Sequence, residues 1–519
     1  MSSWRYRHAV RLPAMGLLPK PLEKTQLLDY AGLTMARRPV IFYFENQPLQ
    51  GVEGEPIAKA LFTAGIKTLS WSVKYKRPRG IHCARGRCIM CHMEVDGVPG
   101  VPTCLAPLRE GMSVRCENFR PFFAPLLISA INKLRFPAGF YYRMFTRPAF
   151  LRTLFLASLR RMAGVGRIVV NGPRPQKIPR PAVRSPSDSY GVVVVGAGLS
   201  GMSAALAAAN RGAKVLLVDE YGRPGGHSIG YQTDSELVSQ RDQCVTQVEF
   251  STSIDYCPRT TAQAFYPPDT LLLGPGGALA LEQTFDRSPV DTPPGRVALA
   301  AGLKKVRAKS FIFATGAYDV IPVFQNGDLP GVFGPRAIRL LLERDRLKPG
   351  HRAVVYGIGS VLRDVTALLV HHDIQIVAVV DADPNPAGGV RRALPDGTRW
   401  IQQGRVVRAD GGRWLTSVTA SGRDRRAGRT STEKLSCDLL CTAFAGQGAY
   451  ELPYQAGFRF ELSEDAVHEN RVLLPDKSKV KSGPVTCYVV GEAAAQQTWQ
   501  QKMTAAEESG SKAPQSLET

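Results

Sequence analysis

Cys83, Cys88, Cys91 and Cys104 follow the spacing C-x4-C-x2-C-x12-C in a loop punctuated by Gly and Arg. Thiolates are soft ligands, and the first three positions match the plant-type run of two-iron proteins, with a distant fourth cysteine completing the set. Structural zinc sites pair two short clips instead. The three-plus-one grouping therefore points to a [2Fe–2S] cluster and to one-electron chemistry. Gly80 and Gly86 are expected to let backbone N–H groups approach the sulfurs. Arg79, Arg85 and Arg87 are expected to place positive charge beside an anionic cluster and raise its potential. Cys116, Cys244, Cys257, Cys437, Cys441 and Cys487 show no ligand spacing and are expected to be buried core thiols.

A second chemistry sits downstream. Gly196-Ala197-Gly198-Leu199-Ser200-Gly201 follows an apolar strand and opens a helix, and Asp219 ends the next strand. The first glycine makes the tight turn, the second admits pyrophosphate and the third lets helix and strand pack closely. The acid reaches the adenosine ribose. The pattern specifies a dinucleotide without choosing FAD or NAD. Three later segments favour FAD, because they occur in the order found in two-dinucleotide-domain flavoproteins. They are Gly225-Gly226, Thr315-Gly316 after a strand, and Gly491-Glu492 near the end, with Glu where Asp is usual. A second strand–turn–helix–strand unit starts at RAVVYGIGS and ends at Asp381, with Leu362 in place of the third glycine. Leu362 either pushes the helix off the strand or fills the gap, so NAD(P) binding there is an even matter. His82 and His227 lie near these motifs and receive no role. No residue stands out as a substrate base.

These motifs need elements to position them. PVIFYFENQPLQGVEG reads as a hairpin, EPIAKALFTAGI as a short helix, and MEVDGVPGV as a second hairpin turning at Asp96-Gly97. Together they suit a small β-grasp domain. The expected organisation is an N-terminal arm (1–38), a ferredoxin-like domain (39–117) and a basic, Pro-rich linker (118–187). A discontinuous FAD-binding domain (188–333 and 435–499), an NAD(P)-binding-like domain (334–434) and a disordered polar tail (500–519) follow. The fold class is α/β, a two-dinucleotide-binding-domain flavoprotein of Rossmann type, preceded by an α+β 2Fe-2S domain.

Composition narrows the function classes. The 519 residues are 44% hydrophobic, enough for two or three cores. No run approaches the ~18 apolar residues of a membrane helix. The formal net charge is +22, and 118–187 holds 13 Lys/Arg and no acid. Such a block can attract nucleic acid, acidic lipid or protein, but no nucleic-acid reading module accompanies it, so none is expected as a partner. Uneven cysteine usage indicates a reducing compartment, the cytoplasm, with an organelle matrix as the weaker alternative given the acid-free N-terminus.

SWSVKYKRPRGI (70–81), FPAGFYYRMFTRP (136–148), VDEYGRPGG (218–226) and ATGAYDVIPVFQNGDLPGV (314–332) carry a resemblance. Over roughly 39–495 the chain resembles the α subunits of heterotetrameric sarcosine oxidases and their relatives in amine, proline and opine dehydrogenases and hydrogen cyanide synthase. The resemblance implies an oxidoreductase chain holding a 2Fe-2S cluster and a dinucleotide. FAD is favoured, with NAD the alternative in the same or the second site. It also implies a separate amine-oxidising flavoprotein (β-like) subunit that takes hydride from a carbon–nitrogen bond. Full-length sarcosine oxidase α subunits are about twice as long, with a folate-binding half that this sequence does not show, so tetrahydrofolate chemistry is not carried over. The expected function is electron relay in such a complex, exchanging with a small-molecule donor or acceptor. A self-sufficient NAD(P)H-dependent reductase is the alternative, and a redox sensor or nucleic-acid binder a remote one.

Overall fold

In PVIFYF, Val40 and Phe42 are buried between exposed neighbours, the alternation of a strand with one face on a core. In VVVV (192–195) every side chain is buried, as in a parallel strand covered on both faces. These two patterns belong to different layers of the molecule. A computed structural model describes residues 38–72, 77–117, 150, 152–153, 185–232, 234–275, 303–384, 397–423, 430–462, 473–494 and 499–513. The arm and nearly all of the basic linker lie outside the described residues.

The N-terminal sheet has five strands in the order 47–52, 39–44, 113–116, 92–95, 98–102. Its two hairpins turn at Glu45-Asn46 and Asp96-Gly97, all four residues with positive φ, as the tight turns between twisted strands require. The helix Ile57–Thr63 buries Ile57, Ala58, Leu61 and Phe62 against the sheet.

The second sheet carries the first dinucleotide motif. Its parallel core runs 254–257, 215–218, 189–195, 304–313 and 485–489, with antiparallel strands at its margins. The third sheet runs 332–333, 439–443, 352–357, 375–381 and 399–411 in parallel, then continues antiparallel through 415–423 and 430–436. Strand Leu439–Ala443 pairs in this third sheet, so the chain returns to the second sheet only after residue 443.

Of the tail expected to be disordered (500–519), the part up to 513 is ordered, and 514–519 lie outside the described residues. Trp499–Lys512 is a helix that packs on the fingerprint helix Leu199–Asn210. Met503, Ala506, Gly510 and Ala513 recur three or four residues apart. Gly510 comes so close that a Cβ there would sit 2.2 Å from the Ala204 carbonyl oxygen. Small residues at helical spacing, within otherwise polar sequence, build this contact.

One hydrophobic cluster runs from the N-terminal sheet into the third sheet. It includes Phe42, Leu61 and Val114 on one side and Phe333, Leu362 and Val379 on the other. Phe62 meets Trp414 edge-on at 5.5 Å, and Lys67 Nζ lies 4.7 Å from the Trp414 ring centre. The ferredoxin-like sheet is therefore mounted on the second Rossmann-type unit.

Candidate functional site

The four cysteines of the quartet meet. Cys83 contacts both Cys88 and Cys104, and Cys104 also contacts Cys91. Backbone donors close on this ring, with Arg85 N–H to Cys83 Sγ at 3.4 Å and Gly86 N–H to Cys104 Sγ at 3.3 Å. Gly86 has φ +67, and Ala84 shares the left-handed region at φ +52. Sulfur-to-sulfur hydrogen bonds hold Cys83 well below the ordinary thiol value and Cys88 and Cys104 well above it. The contacts gather four soft sulfur donors in one place, the donor set of an iron–sulfur core. Cys91 and Cys104 are buried while Cys83 and Cys88 are half-buried.

Gly80 has a different role from the one expected. A Cβ there would lie 2.6 Å from the Lys67 carbonyl oxygen and 3.3 Å from Pro330, so its smallness serves packing onto the 330 segment. Five of the six remaining cysteines are buried, as expected, while Cys116 is half-buried.

The glycines of the dinucleotide motif converge at the start of helix Leu199–Asn210. A Cβ on Gly196 would sit 2.2 Å from the Ala314 carbonyl oxygen, and one on Gly226 would sit 2.8 Å from Gly198 Cα. Gly196, Gly225, Gly226, Gly316 and Gly491 all have positive φ. A Cβ on Gly491 would meet Ser200 Oγ at 2.7 Å. The cradle is bare backbone from four chain segments at a helix N-terminus, which suits a pyrophosphate. Asp219 closes its far side. Its carboxylate accepts from Ala197 N–H at 2.5 Å and Tyr221 N–H at 2.7 Å. Burial pushes its carboxyl up to about 6. Thr315 donates its hydroxyl to the Ala449 carbonyl at 2.7 Å. Glu492 is held by His227 Nδ1 at 2.7 Å and Arg336 Nη2 at 3.1 Å.

The cluster loop and the cradle share a wall. Arg87 Nε donates to Glu220 at 2.7 Å, and its guanidinium lies 4.6 Å from the Tyr318 ring centre. Arg85 Nη1 meets His227 Nε2, and Tyr221 donates its hydroxyl to the Arg85 carbonyl at 3.0 Å. Arg85 and Arg87 thus turn their charge toward the dinucleotide domain, which corrects the expectation that both guanidiniums serve the cluster directly. Burial, then the charge of Arg85, pushes His227 down to about 3, so its imidazole is neutral. Its Nε2 faces Arg85, and its Nδ1 faces both Glu492 at 2.7 Å and Arg336 Nε at 3.1 Å. Burial works against the Arg336 cation, but Glu492 and Asp319 outweigh it and hold it charged.

His227, Tyr221, Glu220, Asp319 and Arg336 escape sequence reasoning as a group. Their only local signal is adjacency to motifs, since His227 follows Gly225-Gly226 and Asp319 closes ATGAYD. In the second unit Leu362 is fully buried in the shared cluster, so it fills the gap a third glycine would leave. Asp381 is engaged by the Asp383 N–H at 3.0 Å and Trp400 Nε1 at 3.4 Å. Among the described residues, no helix is long and apolar enough to cross a membrane.

Comparison with known proteins agrees with this order of sites. Residues 37–118 match the family model of a 2Fe-2S iron-sulfur cluster binding domain, and residues 191–254 match that of FAD dependent oxidoreductases. The alpha subunit of sarcosine oxidase from Rhizobium meliloti (strain 1021) is 29% identical over 434 residues, which is 80% of this chain and 40% of that protein. The corresponding opine oxidase protein of Agrobacterium tumefaciens (strain Ach5), its A subunit, is 27% identical over 219 residues, 40% of each chain. The chain thus spans well under two thirds of the length of the curated relatives it matches. Among solved structures, L-proline dehydrogenase from P. horikoshii shares the fold with a TM-score of 0.58 at 18% identity, covering 94% of this chain and 74% of that one. The two matched domains give this oxidoreductase chain its cofactors, a [2Fe–2S] cluster and FAD. By sequence and by the order of these domains, the chain is similar to the alpha subunits of sarcosine oxidase and the A subunits of opine oxidase.

Proposed function

We propose that this chain relays electrons within an amine- or amino-acid-oxidising complex, with substrate oxidation carried by a separate flavoprotein subunit. The carrying observation is the shared wall, where Arg85 and Arg87 of the cysteine loop end on His227 and Glu220 of the dinucleotide domain. A flavin takes up electrons in pairs and an iron–sulfur cluster passes them singly, so the two together convert one currency to the other. Cys83, Cys88, Cys91 and Cys104 hold the cluster in this reading. Gly196, Gly198, Gly201, Gly225 and Gly226 take the pyrophosphate and Asp219 the ribose. Thr315, Gly316, Gly491 and Glu492 flank the flavin side. Neutral His227 keeps the wall between the two sites free of a titrating charge. Cys88 faces an open groove of about 660 Å³ between the loop and segment 321–328, the side from which an external redox partner reaches the loop.

The test is anaerobic mixing of the purified, cofactor-loaded chain with substrates. Sarcosine or proline alone is expected to bleach neither chromophore, whereas an external one-electron donor reduces both. Robust amine turnover by the isolated chain would sink the reading. Bleaching by NADH alone would favour a self-sufficient reductase.

Asp219 gives a pH signature. A ribose hydroxyl hydrogen-bonds best to the carboxylate, while burial favours the protonated acid below about pH 6. FAD affinity of the flavin-free chain is therefore expected to be flat above that pH and to weaken below it, by up to about tenfold per unit for one linked proton. Asp219→Asn should bind more weakly at pH 8 and lose the slope. Flavin fluorescence titrations between pH 5 and 8 check both.

A further inference from the structure

The second Rossmann-type unit carries the marks of a changed task. Leu362 occupies the third-glycine position and is fully buried, and Asp381 is bound within its own unit. The same unit supplies the apolar bed of the ferredoxin-like sheet. At its edge, Leu340–Arg344 forms a π-helical turn. Such turns are rare, and an extra residue in the turn re-aims a side chain. Here the last residue of the turn, Arg344, reaches the cysteine loop. Its Nη2 donates to the Ala84 carbonyl at 3.1 Å, between Cys83 and Arg85. The guanidinium is bound in bidentate fashion by Asp345, with Nε and Nη2 each 2.7 Å from a carboxylate oxygen. Asp345 is only 7% exposed, and its N–H donates to the Leu340 carbonyl at 3.0 Å, so the pair is rigidly based. Asp345 and, behind it, Cys104 favour the charged form of Arg344 against its burial.

We propose that the second Rossmann-type unit serves as the mount of the iron–sulfur cluster, and that Arg344, fixed by Asp345, is the positioning residue that sets the cluster's reduction potential. This rests on the cysteine quartet holding the cluster and does not depend on the relay reading. The physics is direct. Reduction adds one negative charge to an already anionic core. A fixed cation nearby stabilises the reduced form and a fixed anion opposes it, and partial burial limits screening by solvent. Arg344 and Asp345 act with opposite sign and unequal distance, since only Arg344 touches the loop. Arg344 also holds the Ala84 carbonyl in place, which keeps the non-glycine residue Ala84 in its left-handed conformation.

The test is redox titration of the full-length, cluster-loaded chain, read by the electron paramagnetic resonance of the reduced cluster, for R344Q, R344K and D345N. R344Q is expected to shift the potential down, because Asp345 is left unopposed. D345N should shift it up, because Arg344 is left unopposed. R344K keeps the charge and should lie between wild type and R344Q. Iron content and circular dichroism accompany each variant, so R344K and D345N carry the test if R344Q does not fold. Iron-loaded variants whose potentials match wild type, or all move the same way, overturn the proposal while leaving the cluster assignment intact. A wild-type chain that takes up no iron and sulfide overturns both.

Discussion

Cys104→Ser is expected to abolish the iron–sulfur centre. The mutant should purify with background iron and sulfide and show no paramagnetic signal on reduction. Cys104 is 3% exposed and contacts both Cys83 and Cys91, so its loss opens the ring of donors at its middle. Removing an outer-shell partner of a metal site typically costs about 10–100-fold in metal affinity, and losing a ligand should cost more. The hydroxyl that replaces it is a hard donor that iron–sulfur cores do not favour. Cys116→Ser is the control. Cys116 lies in the same domain but outside the ring, and its backbone N–H is tied to Glu45 at 2.6 Å. It should keep full iron. Electron transfer from the flavin to an external acceptor should fail in Cys104→Ser while flavin content stays at the wild-type level. Equal iron in the two mutants would remove the cysteine quartet as the cluster site.

Gly201→Ala should empty the dinucleotide site. A Cβ there would lie 1.7 Å from the Gly196 carbonyl oxygen and 2.9 Å from its carbon, closer than any contact the backbone tolerates. Helix Leu199–Asn210 must lift off the strand Ser189–Val195, and the cradle at its N-terminus moves with it. Overpacking typically costs about 1–3 kcal/mol, and a clash with main chain sits at the upper end or above. That predicts a fall in melting temperature of several degrees, at roughly 2–4 °C per kcal/mol for a domain of this size. Flavin-to-protein ratio and calorimetry measure the two effects. Gly412→Ala is the matched control, since a Cβ there meets nothing within 4 Å and its flavin content and melting temperature should stay at wild type. Wild-type flavin content in Gly201→Ala would refute the cradle.

The cysteine ring and the glycine cradle were legible because each is specified locally. Ligand spacing and a strand–turn–helix register are properties of a few consecutive residues, and folding preserves them. Arg85 and His227 lie 142 positions apart, and nothing in either neighbourhood announces the other. Reading Arg85 and Arg87 as charges for the cluster was reasonable for a loop taken alone. The neighbouring domain redirects them, because Glu220 and His227 are nearer partners. The C-terminal helix was hidden for a different reason. Beyond Met503 its contact face is made of Ala and Gly, which carry little hydrophobic signal, and it approaches helix Leu199–Asn210 closely. Leu362 was ambiguous by nature, since a large side chain can wedge or fill, and only the surrounding cluster decides which.

The continuous cluster joining the N-terminal sheet to the third sheet also has a consequence in time. Phe62 is synthesised early, while Trp414 and Phe333, which complete its packing, come much later in the chain. The gap from 62 to 414 is 352 residues. At roughly 5–20 residues per second of translation, the apolar underside of the ferredoxin-like sheet waits on the order of tens of seconds for its bed to emerge. During that interval the N-terminal sheet of the nascent chain has an unfinished hydrophobic face. Until residue 414 has been made, that face has no bed to pack on.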